Sequence, residues 1–209
     1  MTVIDHIPVL MIVIPILASL LTLLAGWYDR RFCYPISLIT VLFQFGSAIA
    51  ILLHVMQEGT IRYSVGGWAP PLGIELVVDG FNSYILAAIM LLAAATAVYA
   101  RRSVETEIGP EKTVSFYVLF QLLITGLVGM TITGDIFNLY VFLEISSIAA
   151  YTLIASARRP RAYVASFNYL ILGSIAGGFI LLGIANLYAA TGTLNMADIA
   201  QLLPASYGL

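Results

Sequence analysis

The residue with the clearest capacity for chemistry is Glu144, a single carboxylate inside the long apolar segment 136–157. Counted from Asp135 at about 1.5 Å per helical residue, Glu144 lies about 13–14 Å into a segment that must cross about 30 Å of hydrocarbon. An acid at that depth costs roughly 2.5–3.5 kcal/mol on insertion scales, so it usually faces protein or water and serves a function. The sequence therefore predicts a proton or cation site near the middle of a membrane.

Helical spacing places polar side chains on the same face as this carboxylate. Steps of three, four and seven residues from Glu144 reach Ser147, Tyr140 and Tyr151, and residues so spaced share one helix face. Two phenols and a hydroxyl can hold a chain of water, whereas a lipid-facing stripe would carry Leu, Ile and Val. We expect this face to look inward and to carry protons. The alternative is a protonated Glu144 that only hydrogen-bonds a neighbouring helix.

Other polar residues have positions that suggest supporting roles. Asn168, early in the last apolar segment, lies at inner-leaflet depth, where its amide can hydrogen-bond a file of water. Asp135 and Asp79 each directly precede an apolar segment, so each is predicted to cap a helix N-terminus at the outer face. Gly173 and Gly177 have the four-residue spacing that is typical of close helix packing.

The composition sets the class of the protein. Hydrophobic residues make up 61% of the chain and charged residues 10%, and the mean hydropathy is +0.99. Such a chain has too little polar surface for an ordinary soluble domain, so we predict an all-α integral membrane protein. Six apolar segments are long enough to span a bilayer, namely 7–27, 32–55, 81–100, 114–133, 136–157 and 163–189.

The basic residues orient these segments. Eight of the nine cations lie in the connections after the first, third and fifth segments, and only Arg62 lies on the other side. The positive-inside rule assigns the eight to the cytoplasm, so we expect a cell-membrane protein with both chain ends outside. The outer connection alternates apolar and polar residues between Gly and Pro pairs, which predicts a short external β-hairpin at about 60–79. The expected parts are a three-helix segment with this hairpin (1–112), three further helices (113–190) and an external tail (191–209).

No motif for a cofactor, a metal or a nucleotide is recognisable in the sequence. It has no CxxC pair, no glycine-rich dinucleotide motif after a strand, no P-loop and no HExxH. Cys33 is the single cysteine and is predicted to pack, and a net charge of −2 argues against a nucleic-acid partner. We expect no cofactor, no metal and no catalytic group in this chain, and we assign any redox chemistry to other subunits.

Three stretches resemble a known family of membrane subunits. They are GGWAPPLGIELVVDGFNSYIL (66–86), TGDIFNLYVFLEISSIAAYTLIA (133–155) and FNYLILGSIAGGFILLGIANLYAATGTLNMADIA (167–200). They are similar to the antiporter-like, proton-translocating subunits of respiratory complex I, membrane-bound hydrogenases and Mrp-type cation/proton antiporters, and most of all to the Mrp D-type subunit. The resemblance implies a fold of about fourteen helices in two inverted repeats, of which this sequence would be an N-terminal portion.

The resemblance also implies residue roles. Glu144 matches the key proton-path glutamate of the fifth helix, which the family pairs with a lysine on a broken seventh helix. No lysine lies in the apolar segments of this sequence, and Asn168 stands where many relatives carry one. We therefore expect a subunit, or part of one, of a complex that translocates protons or exchanges Na⁺ for H⁺, with other membrane subunits as partners. The chain is expected to transport nothing alone.

Two alternatives to this function stay open at this point. One is a non-transporting subunit that only docks its neighbours, with a neutral Glu144. The other is one half of a transporter that is encoded as two chains. The sequence also leaves open whether Na⁺ is moved and whether the assembly is an antiporter, a hydrogenase or another redox-driven oxidoreductase.

Overall fold

The structure, a computed structural model, describes residues 3–207 and contains one two-stranded sheet in a helical membrane fold. Six of its helices are long and apolar enough to cross a membrane. This confirms the predicted multi-pass all-α fold. The helices are α1 (Ile7–Tyr28), α2 (Cys33–Glu58), α3 (Gly80–Ser103), α4 (Thr113–Ile132), α5 (Ile136–Ala155), α6 (Pro160–Thr191) and the short α7 (Met196–Tyr207), and the strands are β1 (Ile61–Ser64) and β2 (Glu75–Val78).

Local sequence sets several helix ends. The Asp79 carboxylate accepts hydrogen bonds from the backbone N–H groups of Phe81 and Asn82, and the Asn82 side chain accepts one from the Asp79 N–H. This capping box satisfies donors that a helix start leaves free. Pro160 occupies the first turn of α6, where no N–H is needed. Gly192 ends α6 with a φ of 71°, a left-handed conformation that favours glycine.

A proline inside α1 is compensated by a neighbouring helix. Pro15 has no N–H, so it cannot donate the helical hydrogen bond to the carbonyl of Met11. The buried side-chain amide of Gln44 on α2 donates to that carbonyl instead, at 2.7 Å. In hydrocarbon an unpaired carbonyl costs several kcal/mol, so this bond joins α1 to α2 at a point where α1 alone is incomplete.

The packed core and the open side of the molecule lie on different helices. α4 is half buried, because α1, α2, α3 and α5 all lie against it, whereas only 11% of the span in α6 is buried within the chain. Gly129 brings α5 close to α4, since a side chain there would overlap the ring of Phe142. The core among α1, α2, α3 and α4 is made of apolar residues that include Met11, Val41, Leu86, Met90 and Ile124.

The β-hairpin predicted between the second and third helices is present and is tied to two helix connections. β1 and β2 are antiparallel, with Ile61 opposite Val78. The backbone N–H of Gly134, between α4 and α5, donates to the carbonyl of Glu75 at 2.8 Å, and the N–H of Met196 donates to the carbonyl of Gly134 at 2.9 Å. The hairpin, the start of α5 and the start of α7 are therefore joined at one end of the bundle.

Candidate functional site

Glu144 lies near the middle of the 20-residue helix α5, on the side that meets α6. The side chain is half-buried. One carboxylate oxygen lies so close to Gly177 of α6 that a Cβ at that position would overlap it, and the ring of Tyr140 lies 3.7 Å from the same point. The absence of a side chain at Gly177 therefore makes room for an acid and a phenol between two membrane helices.

No cation pairs with this carboxylate in the part of the chain that the structure describes. The side-chain ion pairs there join His54 to Glu58 and Arg62 to Glu75. The phenol of Tyr140 interacts electrostatically with the carboxylate of Glu144. A carboxylate in hydrocarbon without a cation is neutral, hydrated or both, because ionising it without a partner is costly. The chain thus holds an acid between two membrane helices without an ion-pair partner among its described residues.

The polar face of α5 continues towards α6 beyond Glu144. The ring of Tyr151 meets the ring of Tyr169 edge-on, with centroids 6.2 Å apart. The hydroxyl of Ser166 donates to the backbone carbonyl of Tyr151 at 2.7 Å, and Ser147 is half-buried between the two levels. From Tyr140 to Tyr151 this face covers about three helical turns, or about 16–17 Å of the membrane depth.

The remaining predicted site residues lie elsewhere. Asn168 is exposed on α6 and lies nine residues before Gly177, or about 13–14 Å along the helix from the point where Glu144 contacts α6. Asp135 occupies the N-cap of α5, where its carboxylate accepts a hydrogen bond from the backbone N–H of Asn138 at 2.7 Å. Asp79 caps α3 in the same way. The structure thus gathers the acid and the phenols at the α5–α6 contact and leaves the amide outside it.

Cations lie at the end of α5 that is opposite Asp135. The ammonium of Lys112 lies 3.4 Å from both the carbonyl of Ser156 and the hydroxyl of Tyr163. The guanidinium of Arg158 donates to the carbonyl of Ile108 at 3.1 Å. These contacts hold positive charge at the helix end, where it complements the helix dipole.

One buried carboxylate was not among the predicted site residues. Glu75 of β2 is 8% exposed, pairs with Arg62 at 3.2 Å and accepts a hydrogen bond from the side-chain amide of Asn195 at 3.4 Å. It lines a cavity of about 220 Å³ beside Asp79. Arg62 and Glu75 are diagonal neighbours on one face of the hairpin, which only the strand register reveals. Among the side chains that the structure describes, no group of three or more His, Cys, Asp or Glu could hold a metal ion.

Known proteins are similar to this chain in sequence and in fold. The family described as NADH:quinone oxidoreductase/Mrp antiporter, transmembrane, matches residues 133–208, which include Glu144. The chain is 44% identical over 203 residues to NADH-quinone oxidoreductase subunit N of Desulforudis audaxviator, an alignment that covers 95% of this chain and 40% of that protein. It is 33% identical over 207 residues to the D-type subunit of a probable K(+)/H(+) antiporter of Rhizobium meliloti, covering 96% of this chain and 37% of that protein.

A solved structure has the same arrangement of helices. A chain of the membrane-bound sulfane sulfur reductase, an archaeal respiratory membrane complex, superposes with a TM-score of 0.89 and 33% identity. The alignment covers 96% of this chain and 41% of that chain. The present chain therefore spans about 40% of the length of the relatives that it matches.

Proposed function

Because this chain belongs to the family of antiporter-like membrane subunits, we propose that it is a membrane-embedded part of a complex that translocates protons or exchanges Na⁺ for protons. Glu144 binds the transported proton in this proposal. The observation that carries it is the position of the Glu144 carboxylate, which lies at mid-span against Gly177 with no salt bridge in the described part of the chain.

The chemistry of the proposed cycle is a change of protonation. Without a nearby cation the neutral form of a carboxylic acid is favoured in hydrocarbon, and an approaching cation favours the ionised form. Tyr140, Ser147 and Tyr151 are the hydroxyl groups that would hold water on the same face, and Asn168 would join the path through groups outside the described helices. The described lysine and arginine residues lie in helix ends or connections. We therefore place the switching cation on another segment or subunit.

The proposed partners are other membrane subunits of an antiporter, hydrogenase or complex I-like assembly. The exposed surface of α6 supports this, since a span that is only 11% buried within the chain leaves room for further helices. The same observation favours the second candidate function, a subunit that docks its neighbours without carrying protons. We also propose that the chain divides functionally after residue 112 into a leading three-helix part and a part that contains Glu144.

The proposed orientation has both chain ends outside the cell. The structure places Arg30, Arg101 and Lys112 at one end of the bundle and Arg62 in the hairpin at the other. The positive-inside rule assigns the arginine-rich end to the cytoplasm of a cell membrane.

A charge-removing substitution separates the two candidate functions. Glu144→Gln is nearly isosteric and removes only the ionisable group, so the complex should assemble normally while proton or cation transport in membrane vesicles is lost. Glu107→Gln, at an exposed position between α3 and α4, is the matched control and should transport as the wild type does. Normal transport by the Glu144 variant would instead support the docking role.

A further inference from the structure

Three arginines surround a hollow at the end of the bundle where α1 ends and α2 begins. The hollow has a volume of about 290 Å³. Arg30 and Arg31 come from the α1–α2 connection and Arg101 from the last turn of α3, and the rings of Tyr34 and Tyr117 line the walls. In the sequence these arginines indicate only the orientation of the chain. The fold brings them together from two separate connections.

A second hollow continues the first. It has a volume of about 320 Å³, shares Arg30, Arg31 and Thr113 with the first hollow, and extends to Pro110. Because they share these residues, the two hollows form one depression, and Arg30 and Arg31 line both parts of it.

The charge of this depression is positive. Its lining contains no carboxylate, and none of the three guanidiniums forms a salt bridge within 4 Å in the part of the chain that the structure describes. The nearby carboxylate of Asp29 accepts a hydrogen bond from the backbone N–H of Arg31 at 2.9 Å. The arginine side chains are exposed, so their N–H donors are accessible to an anion.

Neighbouring aromatic residues place the depression at the membrane surface. Trp27 and Tyr28, at the end of α1, are 89% and 90% exposed. Tryptophan and tyrosine concentrate where lipid headgroups meet the acyl chains. The guanidinium of Arg101 lies over the ring of Tyr34, 5.3 Å from its centroid, a contact that orients the planar group. The arginines therefore lie at the depth of lipid phosphates.

We propose that this depression binds the phosphate of an anionic phospholipid through Arg30, Arg31 and Arg101. Guanidinium groups bind phosphate oxygens in a bidentate geometry, and basic pockets between membrane helices suit anionic headgroups. A lipid is the occupant rather than free phosphate because the site lies at headgroup depth beside the exposed apolar surface of α1. This site is independent of the proton path through Glu144.

Titration of the full chain with phosphatidylglycerol, followed by native mass spectrometry, tests the proposal. The wild type should retain phosphatidylglycerol more tightly than phosphatidylcholine, and millimolar inorganic phosphate should not displace it. Arg31→Gln and Arg101→Gln should each weaken retention about fivefold, with a larger loss in the double variant. Arg101→Lys keeps the charge but loses the bidentate geometry and the stacking on Tyr34, so it should retain phosphatidylglycerol less tightly than the wild type and more tightly than Arg101→Gln.

Arg159→Gln and Arg161→Gln are the matched controls, since both residues are exposed cations at the same end of the bundle but do not line the depression. Both should bind phosphatidylglycerol as the wild type does. Equal binding of phosphatidylcholine by the wild type, or unchanged binding by the double variant, would overturn the proposal. Displacement by inorganic phosphate would show a site for free anions instead of a lipid.

Discussion

The carboxylate of Glu144 on α5 lies directly against Gly177 on α6, with no space for a side chain between them. This contact holds the acid between two helices instead of leaving it in lipid. It also makes the position of the acid depend on Gly177, for which the sequence predicted only a role in close helix packing.

The first prediction concerns this contact. Gly177→Ala should displace the carboxylate, because the added Cβ overlaps the terminal oxygen of the flexible Glu144 side chain, and it should change the stability of the chain little. Transport in vesicles should fall by about tenfold or more, since small misplacements of a reacting group have large effects. Gly178→Ala is the control, because no atom lies within 4 Å of a Cβ at that position. If Gly177→Ala and Gly178→Ala transport equally well, the contact between Glu144 and Gly177 has no effect on transport.

The second prediction concerns the hydrogen bond that compensates Pro15. Gln44→Leu should destabilise the chain in detergent by about 1–2 kcal/mol, because the carbonyl of Met11 loses its donor. In a Pro15→Ala background the helix regains its own N–H, so the same substitution should cost less. Gln121→Leu, whose amide donates to the hydroxyl of Thr22, should cost the same in both backgrounds. If Gln44→Leu lowers the stability equally in the wild-type and Pro15→Ala backgrounds, Gln44 does not compensate for Pro15.

The third prediction concerns topology. In a background without Cys33, cysteines at Arg102 and Arg159 should react with an impermeant maleimide only from the cytoplasmic side. A cysteine at Leu72, which is exposed in the hairpin connection, should react only from the outside. Labelling of all three positions from one side would refute the proposed orientation.

The fourth prediction concerns the 209-residue chain alone. Reconstituted into liposomes with a pH-sensitive dye inside, it should give no ion-dependent proton flux above that of empty vesicles. The reason is that no lysine or arginine among the described residues pairs with Glu144, so the switching cation of the proposed cycle would have to come from elsewhere. A robust flux that disappears in Glu144→Gln would show that this chain suffices for transport.

Much of the fold could be predicted from the sequence because the responsible forces act locally. Apolar segments of sufficient length must span the bilayer, and the alternation of residues before α3 predicts a hairpin. The depth of Glu144 follows from its distance along α5, since the helical rise is constant. The face shared with Tyr140 and Tyr151 follows from helical periodicity.

Only the tertiary structure decided which groups meet across helices. The sequence by itself determined that an acid lies near the middle of an apolar helix, but the contact with Gly177 depends on how α5 and α6 are rotated and spaced against each other. Packing between separate elements also decides that Gln44 donates to the carbonyl of Met11. It likewise decides that Asn168 is exposed and that Glu75 is buried. Hydropathy and periodicity describe one helix at a time, whereas the rotation of each helix is set by side-chain packing with distant segments of the chain.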